Sequence, residues 1–193
     1  MKNKKLQSGY TLIELLAVMI ILVAVGTIIT SILVSTLRSG DKSTTTNDIR
    51  QTGNYAIAQM SKMIAYAKSF DGVSIDGTTF VDNCVPPSSQ NYISVKISSF
   101  DGGQTTFRCT KDGIYGVLSS NSATLIDTGT IDATTCYFTC SQNNISTSPT
   151  IDINLTLQRK HASTFTLLPE AQTVIDFQTS VTLRNNVTDV TNP

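Results

Sequence analysis

Six residues carry most of the chemistry open to this chain: Glu14, the cysteines Cys84, Cys109, Cys136 and Cys140, and the single histidine, His161. Glu14 interrupts an apolar stretch, and no charge follows it from Leu15 to Leu37, 23 residues. An unpaired carboxylate in such a segment costs about 2.5–3.5 kcal/mol on membrane-insertion scales. It therefore either sits near the interface or takes a cationic partner. Lys2, Lys4 and Lys5 precede it and could serve. If the chain is cut after Gly9, the new α-amino group of a neighbouring molecule is a better candidate.

The cysteines are even in number and all lie in the C-terminal, β-rich part. In an oxidising compartment that suggests two disulfides, with three pairings open. Local closure favours Cys84–Cys109 and Cys136–Cys140, the first worth about 3 kcal/mol by chain entropy. The Cys136-x-x-x-Cys140 spacing is zinc-like, but no second close pair or His pair accompanies it. His161 follows Arg159-Lys160 in a polar stretch and reads as a solvated loop residue. Asp71, Asp76 and Asp82 are conceivable calcium ligands, yet turn chemistry accounts for Asp71-Gly72 and Asp76-Gly77 more simply. Asn144, Asn154 and Asn186 match the glycosylation pattern, Asn154 within an expected strand. No G-x-S-x-G, H-E-x-x-H or phosphate-binding loop occurs. The expectation is a non-enzyme without metal or cofactor.

Leu15–Leu37 as a helix rises about 35 Å, enough to cross a bilayer core of about 30 Å with some tilt. Backbone groups in a bilayer must be satisfied within the segment, so a helix is required. Ala24-Val25-Gly26 has the small-x-small form of a signal-peptidase site. Against that reading, the apolar run continues through Ile28, Ile29, Ile32, Leu33 and Val34, too long for a signal core. Three lysines precede the helix, whereas Arg38 and Lys42 follow it with Asp41, which favours the N-terminus inside and the bulk of the chain outside. The full chain has 14 basic and 14 acidic residues. Removing the three leader lysines leaves 11 against 14, a net charge of −3. No basic field points to nucleic acid.

The stretch Gly9-Tyr10-Thr11-Leu12-Ile13-Glu14-Leu15-Leu16 resembles the cleavage and methylation motif of type IV prepilins and pseudopilins. That motif is Gly, an aromatic residue (usually Phe), then T-L-I-E; Tyr10 in place of Phe is the departure. The resemblance implies cleavage after Gly9 by a prepilin peptidase, N-methylation of Tyr10, and docking of Glu14 on a neighbour's N-terminus. It covers about 30 residues. The rest of the chain is similar to the family in architecture alone, and its size and ending, Phe177–Asn185, resemble minor pilins or minor pseudopilins. The implied partners are other such subunits, an inner-membrane assembly platform and membrane lipid. The implied location is a single-pass membrane protein before assembly, N-terminus cytoplasmic, and afterwards a surface or periplasmic filament. The rival reading is a membrane-anchored surface receptor or adhesin that never polymerises.

The remaining pattern predicts an α+β fold. The resemblance implies that residues 1–9 are a leader and 10–37 the transmembrane and assembly helix; the expected continuation is an amphipathic helix over 38–70 and an extracytoplasmic β-rich domain over 71–193. Ile49, Ala56, Met60, Ile64 and Ala67 recur at spacings of three and four and form one helical face. Gly40 and Thr44-Thr45-Thr46 lower helix propensity, so a kink or melted turn near Gly40 is conceivable, and Thr45-x-x-Asp48 has the form of a capping box that could restart the helix. The helix is expected to reach Phe70. Beyond it, Ile93-Val95-Ile97, Ile151-Ile153-Leu155-Leu157 and Ile175-Phe177 with Val181-Leu183 alternate with polar residues, as half-buried strands do. Asp101-Gly102-Gly103 and Asp112-Gly113 are hairpin signals, so 92–118 reads as a three-stranded meander. Segments 73–91 and 141–149 read as loops, and 185–193 as a frayed end. The expected domain is one antiparallel sheet wrapped on the C-terminal half of the helix.

Overall fold

The structure, a computed structural model, describes residues 11–84, 88–112, 115–144, 146–160 and 173–185. The chain divides into two compact units, Met1–Thr44 and Thr45–Pro193.

In the first unit, helix α1 (Leu12–Ala65) begins, and every residue from Thr11 to Thr44 is exposed. The helix runs through Gly40 without a break, so the melted turn and restart considered above are absent. One glycine costs about 1 kcal/mol in a helix interior, too little to end a long one. The Thr44 hydroxyl also donates to the carbonyls of Gly40 and Asp41, both at 3.0 Å. Thr45 is therefore an interior position of the helix and not a cap.

The second unit opens with the rest of α1. Thr45, Ile49, Gly53, Ala56, Met60 and Ile64 form its buried stripe, at spacings of three and four. Four of these match the sequence pattern; Gly53 and Thr45 extend it. The helix ends at Ala65, five residues before the expected Phe70. The Ala67 amide bonds the Ile64 carbonyl at 3.2 Å, a tightened last turn, and the Lys68 amide then bonds Ser98 at 2.8 Å. From Lys68 the sheet supplies the partners that another helical turn would have used.

Among the described residues nine strands follow: β1 (Ser69–Ser74), β2 (Ser88–Tyr92), β3 (Ser94–Ser98), β4 (Gln104–Asp112), β5 (Tyr115–Ser120), β6 (Ala123–Thr124), β7 (Ile131–Ser141), β8 (Thr150–Arg159) and β9 (Val174–Thr182). They form two antiparallel sheets rather than the single one expected. The five-stranded sheet has the order β1-β3-β4-β5-β6, and the four-stranded sheet β2-β7-β8-β9. The β3-β4-β5 meander matches the hairpin signals. Segment 73–91 is not all loop: it holds the end of β1, a bridge between Val73 and Val81, and β2. Ile93 lies between β2 and β3, where the chain passes from one sheet to the other. Gly72 makes a bulge inside β1 rather than a turn, at φ +125°, a conformation that side-chain-bearing residues rarely adopt. Asn121 and Ser122, at φ 48° and 69°, form the two-residue turn between β5 and β6 that a right-twisted hairpin favours.

The inner faces follow from register. In the four-stranded sheet Cys136, Leu155 and Phe177 stand side by side, as do Cys140, Ile151 and Val181. A bulge between Ala133 and Thr135 reverses the parity of β7, so Ile131 and Ala133 face inward before it and Phe138 and Cys140 after it. A single period-2 template cannot span that change, which is why β7 escapes the sequence pattern. In the five-stranded sheet Val73, Val95, Ile97, Phe107 and Leu118 are fully buried. These side chains and the α1 stripe make one core cluster. At its margin Gly53 faces the partly buried Phe177 ring, which fills the space a Cβ on residue 53 would need. Arg159 at the end of β8 donates to the Thr45 hydroxyl at 2.7 Å, and the Arg184 amide bonds the Ala65 carbonyl at 3.2 Å, tying both ends of this half-helix to the strands.

Candidate functional site

The N-terminal segment is the first candidate. Gly9 and Tyr10 lie outside the described residues. Thr11 stands just before the helix, and its carbonyl accepts from the Leu15 amide at 3.2 Å and the Glu14 amide at 3.1 Å. Glu14 is thus the third residue of α1, inside the first turn, where a carboxylate meets the positive end of the helix dipole. Thr11-x-x-Glu14 has capping-box spacing, but the reciprocal side-chain bonds of such a box are not made among the described residues, and the dipole alone is the local reason for a carboxylate here. Among the described residues, Glu14 makes no side-chain hydrogen bond or ion pair, and its side chain is exposed.

The apolar segment after Glu14 is long and apolar enough to cross a membrane, by length and composition. Its hydroxyls do not disturb that. Thr27, Thr30, Ser31 and Thr36 donate to carbonyls three or four residues back, at 2.8–2.9 Å. These four hydroxyls are satisfied within the helix, as a hydrocarbon surrounding demands. The i−3 and i−4 spacing was legible in the sequence once a helix was assumed.

All four cysteines form disulfides, Cys84–Cys140 and Cys109–Cys136, with Cα atoms 5.6 and 5.5 Å apart. The locally closing pairs favoured from sequence are corrected. Cys136 and Cys140 lie on one strand, and four strand residues span about 13 Å, far beyond the reach of a disulfide. Standing on the same face of β7 after its bulge, the two reach different partners. Cys136 bonds to β4 of the other sheet, and Cys140 to Cys84, just before β2. The loops closed contain 56 and 27 residues by separation, so the chain-entropy model assigns them about 4 and about 3.5 kcal/mol.

The aspartates considered for calcium are engaged by protein donors. Asp71 accepts from the hydroxyls of Ser98 at 2.6 Å and Ser69 at 3.1 Å. Asp76 accepts from the amides of Thr78 and Thr79, both at 2.8 Å, and from the Ser74 hydroxyl at 2.7 Å. Those donors, the two amides first, hold its carboxyl well below the usual carboxylate range. Asp127 is lowered in the same way by the Thr130 hydroxyl and then the Gly129 amide. Among the described residues no group of three or more His, Cys, Asp or Glu is placed to hold a metal ion. His161 lies outside the described residues. Of the glycosylation-pattern residues, Asn154 is in β8, paired with Tyr137 and Gln178, and Asn144 caps a turn by accepting from the Ser146 amide at 3.0 Å.

Comparison of the chain with protein-family models, with curated proteins and with solved structures finds no match to any of them. The architecture is that of a long apolar N-terminal helix followed by antiparallel sheets, an arrangement of the pilin kind.

Proposed function

We propose that this chain is a structural subunit of a type IV pilus-like filament, a minor pilin or pseudopilin, made as a single-pass membrane protein. One observation carries the reading. Gly9-Tyr10-Thr11-Leu12-Ile13-Glu14 runs directly into α1, placing a lone exposed carboxylate in the first turn of a helix whose next 23 residues are uncharged. Before assembly that helix lies in lipid. After cleavage following Gly9 and methylation of Tyr10, an assembly platform extracts it into a bundle of like helices, and contacts with neighbours replace contacts with lipid. Glu14 then sets the axial register by pairing with the N-terminal amine of an adjacent subunit. That pairing removes the cost of a carboxylate in an apolar setting.

Mass spectrometry of the N-terminal peptide from the membrane or filament fraction tests the processing. A peptide beginning at N-methyl-Tyr10 is expected. A peptide beginning at Met1 or Thr27 would exclude this assembly route and favour a membrane-anchored receptor that does not polymerise. Replacing Glu14 tests the docking. Glu14→Ala is expected to be exported and cleaved normally but to enter filaments poorly, and normal incorporation would sink the docking role.

A further inference from the structure

The outer face of the five-stranded sheet carries a polar hollow of about 280 Å³, close to the lower size limit of small-molecule sites. Lys96 of β3 and Arg108 of β4 line it. In the register Lys96 faces Thr106 and Arg108 faces Ser94, so the two cations are diagonal neighbours on one face. Like charges at such close quarters are unfavourable unless compensated. Here neither is paired with a carboxylate among the described residues. Lys96 instead lies over the Phe80 ring, 5.6 Å from its centroid. Arg108 donates to the Gly77 carbonyl.

Both cations are held in place rather than left to wander. Gly77 sits at φ +79°, and a Cβ there would come within 2.7 Å of the Arg108 guanidinium, so only glycine lets the loop close on it. The carboxylate next to Gly77 in that loop, Asp76, is occupied by Thr78, Thr79 and Ser74. Asn121 fixes the opposite rim, accepting from the Thr106 amide at 2.9 Å and donating to the Gln104 carbonyl at 3.2 Å. Ser119 and Ser122 add hydroxyls to the wall. Ser94, opposite Arg108, is fully buried, and its hydroxyl has no partner among the described residues. Preorganised cations lose little on binding an anion, because their ordering cost is already met by the fold.

We propose that this hollow binds a small sugar acid, its carboxylate between Lys96 and Arg108 and its hydroxyls on Ser119, Ser122 and Thr106. The anion requirement comes from the two cations; the preference for a hydroxylated ligand comes from the hydroxyl-rich wall beside them. The site is independent of whether the chain enters a filament.

The test is a titration of the full chain in detergent micelles, followed by amide NMR shifts. The probes are D-glucuronate, D-glucose and inorganic phosphate. Glucuronate is expected to give saturable shifts confined to Lys96, Thr106, Arg108 and Ser119–Ser122, with glucose giving none and phosphate binding more weakly. Lys96→Gln is expected to weaken glucuronate about tenfold, the loss of one charge-assisted contact. Lys96→Arg is expected to retain most of the affinity. The absence of saturable shifts, shifts centred elsewhere, or equal shifts from glucose would overturn the site. Phosphate binding as tightly as glucuronate would overturn its assignment to a sugar acid.

Discussion

At the scale of single residues, short polar side chains do much of the shaping in this protein. Asp76 gathers two amides and the Thr79 hydroxyl, at 3.1 Å, from its own loop and the Ser74 hydroxyl from the end of β1. Its carboxyl is held below the ordinary value of 3.8. A carboxylate whose folded value is depressed contributes stability above its unfolded value and loses it as pH falls through the folded one. The loop 75–81 is therefore expected to keep its order at neutral pH and down to about pH 4, and to loosen only in stronger acid. Asp76→Asn should remove the charge and lower the protection of the Thr78 and Thr79 amides in hydrogen exchange at neutral pH. Unchanged protection would show that the turn holds without the charge. Glu14 makes a different point. Its place in the first helical turn has a local cause in the helix dipole, so a filament role must be tested by incorporation and not by helix content.

At the scale of elements, two devices join the layers of the second unit. One is β7, which carries Cys136 and Cys140 on the same face and is bonded through them to β4 and to the segment before β2. The other is the notch at Gly53 that admits the Phe177 ring of β9. Two effects oppose each other there. Alanine is the better helix former by about 1 kcal/mol, whereas overpacking a filled core costs about 1–3 kcal/mol. The steric term is expected to win, so Gly53→Ala should lower Tm by a few degrees, a net loss of about 1 kcal/mol. Adding Phe177→Leu should recover part of that loss by making room. A Tm raised by Gly53→Ala alone would show that the ring moves aside and that the notch is not needed.

At the scale of the whole molecule, the second half of α1 belongs to the core of the β-rich unit. Ile49, Ala56, Met60 and Ile64 are fully or almost fully buried. A buried Ile or Met side chain contributes about 1.5–3 kcal/mol, and a domain's net stability is about 5–15 kcal/mol. Losing three of them with the helix would remove most of that margin. A chain beginning at Asp71 is expected to aggregate or melt without a cooperative transition, while one beginning at Thr45 should melt cooperatively. Cooperative melting of both would show that the sheets close their own core. The residues before Thr45 present the reverse situation, since all of those described are exposed and apolar side chains dominate them up to Leu37. Such a surface is suited to lipid or to other helices.

Much of this was legible in the sequence. The apolar run, its single carboxylate, the buried face of α1, the alternation of β8 and the β3-β4-β5 meander all rest on periodicity and turn chemistry within a few residues. Local spacing carries that information because side chains three or four apart share a helix face and those two apart share a strand face. Tertiary structure decided what depends on distant partners. It paired Cys84 with Cys140 and Cys109 with Cys136, because sulfurs four residues apart on a strand cannot meet. It ended α1 at Ala65, because Ser98 offered Lys68 a sheet hydrogen bond. It divided the strands between two sheets, with a bulge in β7 that breaks the alternation a sequence reader looks for. And it brought Lys96 and Arg108 together on one face, which follows from the register of β3 on β4 and from nothing either strand records alone.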